Sequence, residues 1–394
     1  MFRNIASNAL TLFIVVLVVL SGLLTMARNM YVGPGPLTQA ICFKVEKGTT
    51  LSAVSQALLQ QGAISDGRIF RVGANYSGQA AKLKFGSYLI DPKSSMEGIV
   101  GRLTAGGQST CGQEVNYVIG VTQALIVMQK LDPATNRYVE VAKFNPASDP
   151  VPADYTEAEQ GADLRWRVTL AEGVTSWNVV EALKHADFLK GDVATVPLEG
   201  TLQPESYDVD KGSDRNELLA LMAARQTATL EELWARRADG LPYKTMQDAL
   251  IMASIVEKET RVAAERPIVA SVFLNRLAQG IKLQTDPTVI YGVTKGQGVL
   301  GRGLRQSELR RETPWNTYVI EGLPATPIAN PGRLSIEAAL NPAATDYLFF
   351  VADGSGGHAF STTLEEHNKN VAKWRAIEAA QGIVPDASGT GTGN

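Results

Sequence analysis

The sequence predicts an α+β protein with a single N-terminal transmembrane helix, a small βα module, and then a mixed but largely helical domain. Three observations support this fold class. An early stretch carries no charge, a strand-glycine-helix pattern occurs twice, and helical runs dominate from about Leu198. At 394 residues the chain is long enough for two or three domains with their own cores.

The composition is that of an ordinary globular protein, with 45% hydrophobic and 20% charged residues. The formal net charge of -3 gives no electrostatic reason to expect nucleic acid as a partner. We therefore expect a protein that binds no nucleic acid.

The N-terminal segment from Ala9 to Ala27 is 19 residues long and uncharged. At about 1.5 Å per residue it roughly spans the hydrocarbon core of a bilayer, about 30 Å thick. A cleavable signal peptide and a buried core helix are the alternatives, but "TMARNMYVGPGP" offers no convincing cleavage site. The distribution of Lys and Arg decides little about orientation. We expect an uncleaved anchor in residues 1–30, cytoplasmic at its start, with the rest of the chain exported.

The two βα units begin with "CFKVEKGTTLSAVSQALL" and "RWRVTLAEGVTSWNVVEALK". Counted from Gly48 and from Gly173, a valine stands at the sixth position and an Ala-Leu pair at the ninth and tenth. Thr50 or Thr49 is expected to cap the first helix. The match predicts that one strand-turn-helix device is used twice.

The segment between the two units predicts a β-hairpin around "DPATN", followed by an acidic, Pro-rich linker. Cys42 and Cys111 lie in the exported part and could pair in an oxidising compartment, but the sequence leaves their pairing open. The predicted divisions after the anchor are a spacer (31–41), the βα module (42–107), an insertion (108–164), the largely helical domain (165–376) and a disordered tail (377–394).

Two glutamates, Glu257 and Glu259, end the apolar run "ALIMASIV". A helix that is apolar on every side is normally buried, and burial raises the pKa of a carboxyl group, as a general acid working near neutral pH requires. Both glutamates continue apolar stripes, so periodicity does not choose between them. The alternative is a frayed helix end where Lys258, with Arg261 or Arg266, neutralises both.

Other chemistries find little support. The three histidines lack the spacing of a metal site, "DGSGG" lacks the helix that follows a nucleophile elbow, and no phosphate-binding loop occurs. We expect no metal and no cofactor.

Polar and aromatic side chains follow in two segments that we predict as loops. "LQTDPTVIYGV", broken by its proline, carries Gln284, Asp286 and Tyr291, and "ETPWNTYVIEGLPATPIANPG" carries Asn316 and Tyr318. Such side chains often serve turns, but amides and aromatic rings near an acid also suit the binding of a sugar.

These motifs carry a resemblance. "SIVEKET", "ERPIVASVFLNRL", "LQTDPTVIYG", "ETPWNTY", "GLPATPIANPG" and "ALNPAATDYLFFVADGSGGHAFSTTLEEH" are similar to the MltG (YceG-like) endolytic murein transglycosylases, over about Leu198 to Val371. "EGTLQPESY" resembles a further family segment, with Glu205 and Ser206 in place of Asp and Thr. The first βα module then resembles the family's LysM-like module, whereas residues 108–164 have no counterpart in the family pattern.

The resemblance implies a YceG-like catalytic domain that cuts peptidoglycan glycan strands between N-acetylmuramic acid and N-acetylglucosamine and leaves 1,6-anhydro ends. It implies Glu257 as the catalytic acid and base, with Glu259, Lys258 and Asn275 in supporting positions. The residues expected to line the substrate are Gln284, Asp286, Tyr291, Asn316, Tyr318 and His358.

The implied location is the inner membrane of a bacterium, with the catalytic part in the periplasm and peptidoglycan synthases as plausible partners. Two rival hypotheses stay open. One is a non-catalytic LysM-type scaffold that binds peptidoglycan. The other is a hydrolase, which would need Asp286 or Glu259 as its second carboxylate.

Overall fold

The computed structural model describes residues 2–105, 110–160 and 164–381, and for residues 2–9 and 381 it describes the backbone alone. The helices are α1 (Phe2–Val32), α2 (Leu51–Gln60), α3 (Gly67–Tyr76), α4 (Met96–Thr104), α5 (Ala153–Glu159), α6 (Ser176–Lys184), α7 (Arg215–Ala235), α8 (Met246–Glu259), α9 (Arg266–Ala278), α10 (Asp286–Thr294), α11 (Gln306–Leu309), α12 (Arg333–Leu340) and α13 (Leu364–Gln381). The strands are β1 (Ile41–Val45), β2 (Gly86–Ile90), β3 (Gln113–Ile119), β4 (Ala124–Asp132), β5 (Arg137–Phe144), β6 (Arg165–Leu170), β7 (Ser206–Val209), β8 (Phe349–Ala352) and β9 (His358–Ser361). The mixed α+β class predicted from the sequence is confirmed.

Helix α1 contains one apolar segment, Leu10–Val32, of 23 residues with a mean hydropathy of 2.7. No residue in its most apolar 18-residue window is buried inside the protein. Its length and composition are sufficient to cross a membrane, and a signal sequence would have the same properties.

The chain divides into two compact units. The first consists of Met1–Asn116, Val127–Phe144 and Pro150–Trp166, and the second of Tyr117–Ile126, Asn145–Asp149 and Arg167–Asn394. Strands β3 to β7 form a five-stranded sheet in the order β5-β4-β3-β6-β7. The turn between β4 and β5 is the predicted "DPATN" turn, and the Asp132 carboxylate accepts the backbone N–H of Ala134 at 3.0 Å within it.

The first unit contains the small βα module. Strand β1 pairs antiparallel with β2, and helices α2 and α3 lie between them in the chain, which gives a β-α-α-β order. The side-chain hydroxyl of Thr50 accepts the N–H of Ala53 and caps α2, as one of the two predicted candidates. A disulfide joins Cys42 on β1 to Cys111, with the two Cα atoms 5.7 Å apart. The structure therefore answers the pairing question that the sequence left open.

The second unit repeats the strand-turn-helix device of the first. Gly173 follows β6 with φ of 77°, as Gly48 follows β1 with φ of 83°. Thr175 caps α6 through the N–H of Asn178, as Thr50 caps α2. Each glycine occupies the left-handed region that residues with a Cβ disfavour, so the repeat is a repeat of backbone geometry.

Helix α8 lies at the centre of the second unit. It begins at a capping box in which the Thr245 hydroxyl and the Asp248 carboxylate each bond the other's backbone N–H. Every residue from Ala249 to Val256 is buried. Helices α7, α9, α10 and α12 pack against it. The predicted apolar helix is therefore the core of this unit.

Two segments differ from their predictions. "LQTDPTVIYGV" is not a proline-broken loop, because helix α10 begins at Asp286 with Pro287 in its first turn. A proline there loses no hydrogen bond, since the first N–H groups of a helix have no partner within it. Helix α13 continues to Gln381, into the predicted disordered tail, whose remaining residues 382–394 lie outside the described part of the chain.

Candidate active site

The carboxyl groups of Glu257 and Glu259 lie on opposite sides of α8. Residues that are two positions apart in an α-helix differ by about 200° of rotation about the helix axis, so their side chains point in nearly opposite directions. Both residues are helical, and the chain leaves the helix at the next residue, Thr260, whose backbone is extended. The helix end is thus ordered and packed rather than frayed.

Two loops of the second unit meet at Glu257, and Asn330 joins them. The Asn330 side chain is fully buried. Its Nδ2 donates to the carbonyl of Val174 at 2.9 Å, and its Oδ1 accepts the N–H of Leu202 at 2.9 Å. The N–H of Gly173 in turn donates to the Asn330 carbonyl at 2.9 Å. The loop that follows β6 and the loop that precedes α12 are therefore fixed to one another.

The Glu257 carboxyl group is held by this loop pair and by Arg266. Oε2 accepts the backbone N–H of Gly332 at 2.9 Å, and Oε1 lies 3.5 Å from Nη2 of Arg266. The Glu257 side chain is 6% exposed. The same Arg266 nitrogen lies 3.1 Å from Oε2 of Glu172, whose side chain is 41% exposed. One guanidinium therefore serves two carboxyl groups, of which Glu172 faces solvent.

The pKa of Glu257 is raised above its ordinary value, chiefly because burial disfavours the charged form. The negative charge of Glu172 raises the pKa further, whereas the Gly332 N–H and Arg266 offset part of the effect. Glu257 thus has a raised pKa, as a general acid needs, beside donors that stabilise the carboxylate left after proton donation.

Lys258 contacts the turn at Gly173, close to Glu257. Its Nζ donates to the carbonyl of Gly173 at 3.4 Å. Burial lowers the pKa of Lys258, and the neighbouring charges of Glu257 and Glu199 raise it in part. Lys258 therefore connects the two acidic side chains electrostatically.

Tyr291 is hydrogen-bonded to Glu199, on the same side of α8 as Glu257. The Tyr291 hydroxyl donates to Oε2 of Glu199 at 3.1 Å, and the N–H of Ser176 donates to its Oε1 at 2.8 Å. Burial raises the pKa of Glu199. The Tyr291 ring packs against Trp315 with centroids 5.7 Å apart. Of the predicted substrate-lining residues, Tyr291 is thus the one connected to Glu257, through Glu199 and Lys258.

Three other predicted residues lie around Glu259. The Thr285 hydroxyl donates to Oε1 of Glu259. The Gln284 side-chain oxygen accepts from Nη1 of Arg276 at 3.4 Å. The Tyr318 hydroxyl donates to Oδ1 of Asp286 at 2.6 Å. This cluster belongs to the opposite side of α8 from Glu257.

The remaining predicted residues have structural contacts of their own. The Asn316 side chain is buried and donates to the carbonyls of Glu308, Leu309 and Arg311. Asn275 donates to the carbonyls of Thr345 and Tyr347. His358 is bonded through both its backbone N–H and its Nδ1 to the Glu265 carboxylate, at 2.9 Å and 2.7 Å. Their binding or supporting roles stay predictions.

Sequence reasoning missed Glu172 and Glu199. Glu172 directly precedes the glycine of the second βα device, and Glu199 opens the segment "EGTLQPESY". Both motifs were visible, but nothing in the spacing indicates that they meet at Glu257. Among the described residues no group of three or more His, Cys, Asp or Glu could hold a metal ion.

Fold and site together define an α+β protein with an N-terminal apolar helix and a buried acid at the end of a core helix. The sequence model of the YceG-like family matches residues 43–140 and 155–373. The chain belongs to the YceG-like family.

Curated relatives show the same likeness. The chain is 30% identical over 331 residues to the endolytic murein transglycosylase of Bacillus subtilis, covering 84% of this chain and 83% of the relative. It is 24% identical over 341 residues to the endolytic murein transglycosylase of Streptococcus pneumoniae serotype 2, of whose length it spans 57%. A crystal structure of a yceG-like protein from Listeria monocytogenes matches with 26% identity and a TM-score of 0.44, covering 84% of this chain and 99% of that one.

Proposed function

We propose that this protein is an endolytic lytic transglycosylase that cuts the bond between N-acetylmuramic acid and N-acetylglucosamine within peptidoglycan glycan strands. The main support for this proposal is the Glu257 carboxyl group, which is buried, has a raised pKa and lies between two loops that are fixed to each other. The names of the curated relatives support peptidoglycan as the substrate.

In the proposed reaction the Glu257 carboxyl group donates its proton to the glycosidic oxygen. The bond between that oxygen and C1 of the muramoyl residue breaks, and N-acetylglucosamine leaves with a free 4-hydroxyl. The muramoyl C6 hydroxyl then bonds to C1, and the Glu257 carboxylate takes its proton. The products are a 1,6-anhydro end and a regenerated acid, and no water is consumed.

An internal hydroxyl as nucleophile explains why one carboxyl group can suffice, because its effective concentration is large. A hydrolase would need a second carboxylate. In this structure the carboxylate beside Glu257 is Glu172, rather than Asp286 or Glu259, whose side chains belong to the other side of α8. Glu172 is engaged with Arg266, so we assign it to tuning Glu257 rather than to activating water.

The location follows from the same proposal. Helix α1 would anchor the chain in the bacterial inner membrane, with the rest of the chain in the periplasm. The Cys42–Cys111 disulfide supports an oxidising compartment. The β-α-α-β order of the first unit supports a LysM-like module that binds nascent strands close to the membrane. Trimming or terminating new strands, beside peptidoglycan synthases, is the task that this arrangement suits.

The test is mass spectrometry of uncrosslinked glycan strands incubated with residues 31–394, comparing wild type with Glu257→Gln. Wild type should produce internal cuts with anhydro ends, and the variant should be at least about 100-fold slower, since general acid catalysis contributes that much or more. Glu181→Gln is the matched control, because Glu181 lies on α6 in a partly exposed pair with Lys184. If both Glu257 forms bind strands and neither cuts them, the scaffold hypothesis replaces this proposal.

A further inference from the structure

A cavity of about 240 Å³ borders α8 on the side of Glu259. Its lining combines aromatic walls with polar groups that point to a ligand. The residues on which the inference depends are Glu259, Gln284, Phe349, Phe350, Leu364 and His367. Because Glu257 lies on the opposite side of the helix, this cavity is separate from the candidate active site.

Two polar atoms in the cavity lining are buried without a partner in the described part of the chain. They are Oε2 of Glu259 and Nδ1 of His367. The other carboxyl oxygen of Glu259 already accepts the Thr285 hydroxyl. Buried polar atoms are nearly always hydrogen-bonded, so two unpaired atoms at one cavity indicate a polar group that enters it.

Gln284 adds an independent sign of function. Its φ is 52°, in the left-handed region that residues with a Cβ rarely occupy. Non-glycine residues held there cluster at ligand-binding and catalytic sites. The Gln284 side-chain oxygen accepts from Arg276, which also lines the cavity.

The volume of the cavity and the protonation state of Glu259 indicate the kind of ligand that it can bind. Its volume is below that of pockets for drug-sized ligands, about 300–1,000 Å³, so it suits one ring or its substituent rather than an oligosaccharide. Burial raises the pKa of Glu259 to about 8, so at neutral pH the carboxyl group keeps its proton and can both donate and accept.

We propose that this cavity binds the acetamido group of an N-acetylated amino sugar, with its amide hydrogen-bonded to Oε2 of Glu259 and its methyl group against Phe349 and Phe350. The choice of sugar rests on the proposed function, because peptidoglycan strands carry this group on every residue. The cavity then holds a part of the glycan other than the sugar at Glu257, or a separate strand.

The experiment measures binding of N-acetylglucosamine to the full chain, with α1 held in detergent micelles, by saturation-transfer NMR titration. Glucosamine, which carries an ammonium group in place of the acetamido group, serves as the probe for specificity. N-Acetylglucosamine should bind, and Glu259→Ala should weaken it about tenfold, which is what the loss of one such hydrogen bond to a buried group brings.

A second variant covers the case in which Glu259→Ala does not fold. Leu364 lines the cavity but is 58% exposed, so Leu364→Trp should obstruct the cavity without disturbing the core. It should weaken binding at least about tenfold, whereas Leu221→Trp, at a 43% exposed position on α7, should leave binding unchanged. Equal binding of glucosamine, undiminished binding by folded Leu364→Trp, or no binding by wild type at about 100 mM sugar would each overturn the proposal.

Glu257→Gln separates this inference from the proposed function. That variant should bind N-acetylglucosamine as wild type does while losing strand cleavage. Cleavage without sugar binding at the cavity would refute the cavity proposal alone, and sugar binding without any cleavage would refute the enzyme proposal alone.

Discussion

Glu172 and Glu257 contact the same nitrogen of Arg266, at 3.1 Å and 3.5 Å. Glu172 precedes the turn glycine of the second βα device, and Glu257 ends the core helix α8, so the fold brings an exposed carboxylate to a buried acid. The guanidinium moderates the repulsion between them. Glu172 is therefore placed to influence the pKa of Glu257, the proposed acid.

Replacing Glu172 should change the pH dependence of cleavage. The charge of Glu172 raises the pKa of Glu257, so Glu172→Gln should lower that pKa. A general acid must be protonated, and activity is lost as the pH rises through its pKa. The alkaline limb of the pH profile of kcat/KM should therefore move to lower pH. An alkaline limb that stays in place or moves upward would show that Glu172 does not tune the acid.

Gly173 should be more important for activity than its counterpart Gly48. Both have positive φ, so alanine at either position should cost about 1 kcal/mol of stability. A Cβ at Gly173 would make ordinary van der Waals contact with Cγ of Glu257, at 3.7 Å, so backbone strain in this turn would act directly beside the acid, whereas a Cβ at Gly48 would meet no atom within 4 Å. Gly173→Ala should reduce kcat severalfold and Gly48→Ala should not. Equal kcat for the two variants would mean that the turn does not position Glu257.

Stability should fall as the pH rises from about 4.5 to about 8, because of Glu259. Burial, with Asp286 nearby, raises its folded-state pKa from 4.5 to about 8. In this window the unfolded chain releases a proton that the folded protein retains, so unfolding becomes easier as pH rises. The contribution is at most about 1.4 kcal/mol per pH unit and ends above pH 8.

Urea unfolding of wild type and Glu259→Gln between pH 4 and 9 measures this effect. The variant should show a clearly smaller decline than wild type in that window, and the raised pKa values of Glu257 and Glu199 should account for what remains. Parallel curves for the two proteins would place the Glu259 pKa near its ordinary value.

The Cys42–Cys111 disulfide should stabilise the first unit. It closes a sequence separation of 69 residues, and bonds of this kind contribute about 2–4 kcal/mol, chiefly by restricting the unfolded chain. The double variant Cys42→Ala with Cys111→Ala should lower the free energy of unfolding of this unit by that amount. Reducing agent should destabilise wild type and leave the double variant unaffected. A reducing agent without effect on wild type would show that the bond contributes nothing to stability.

The sequence predicted the parts of this fold that depend on local patterns. The offsets from Gly48 and Gly173 anticipated two copies of one device, and their geometry agrees down to the capping threonines Thr50 and Thr175. The run before Glu257 anticipated a buried helix. In each case residues close together in the chain determine the structure.

The features that the sequence did not predict depend on tertiary contacts. Pro287 was taken as a break, although in the first turn of a helix it favours continuation. Glu172 and Glu199 are far from Glu257 in the chain, and they lie in loops that Asn330 joins beside it. The opposite placement of Glu257 and Glu259 could be derived from the helical period. The helical period could not show which of the two glutamates borders a cavity.

The most direct test of the central claim is cleavage of glycan strands in water enriched in oxygen-18, with mass spectrometry of the new muramoyl ends. If the muramoyl C6 hydroxyl is the nucleophile, the ends are 1,6-anhydro and carry no label, and Glu257→Gln produces none of them. Reducing ends that carry one oxygen-18 atom would instead show that water attacks C1, and the protein would be a hydrolase.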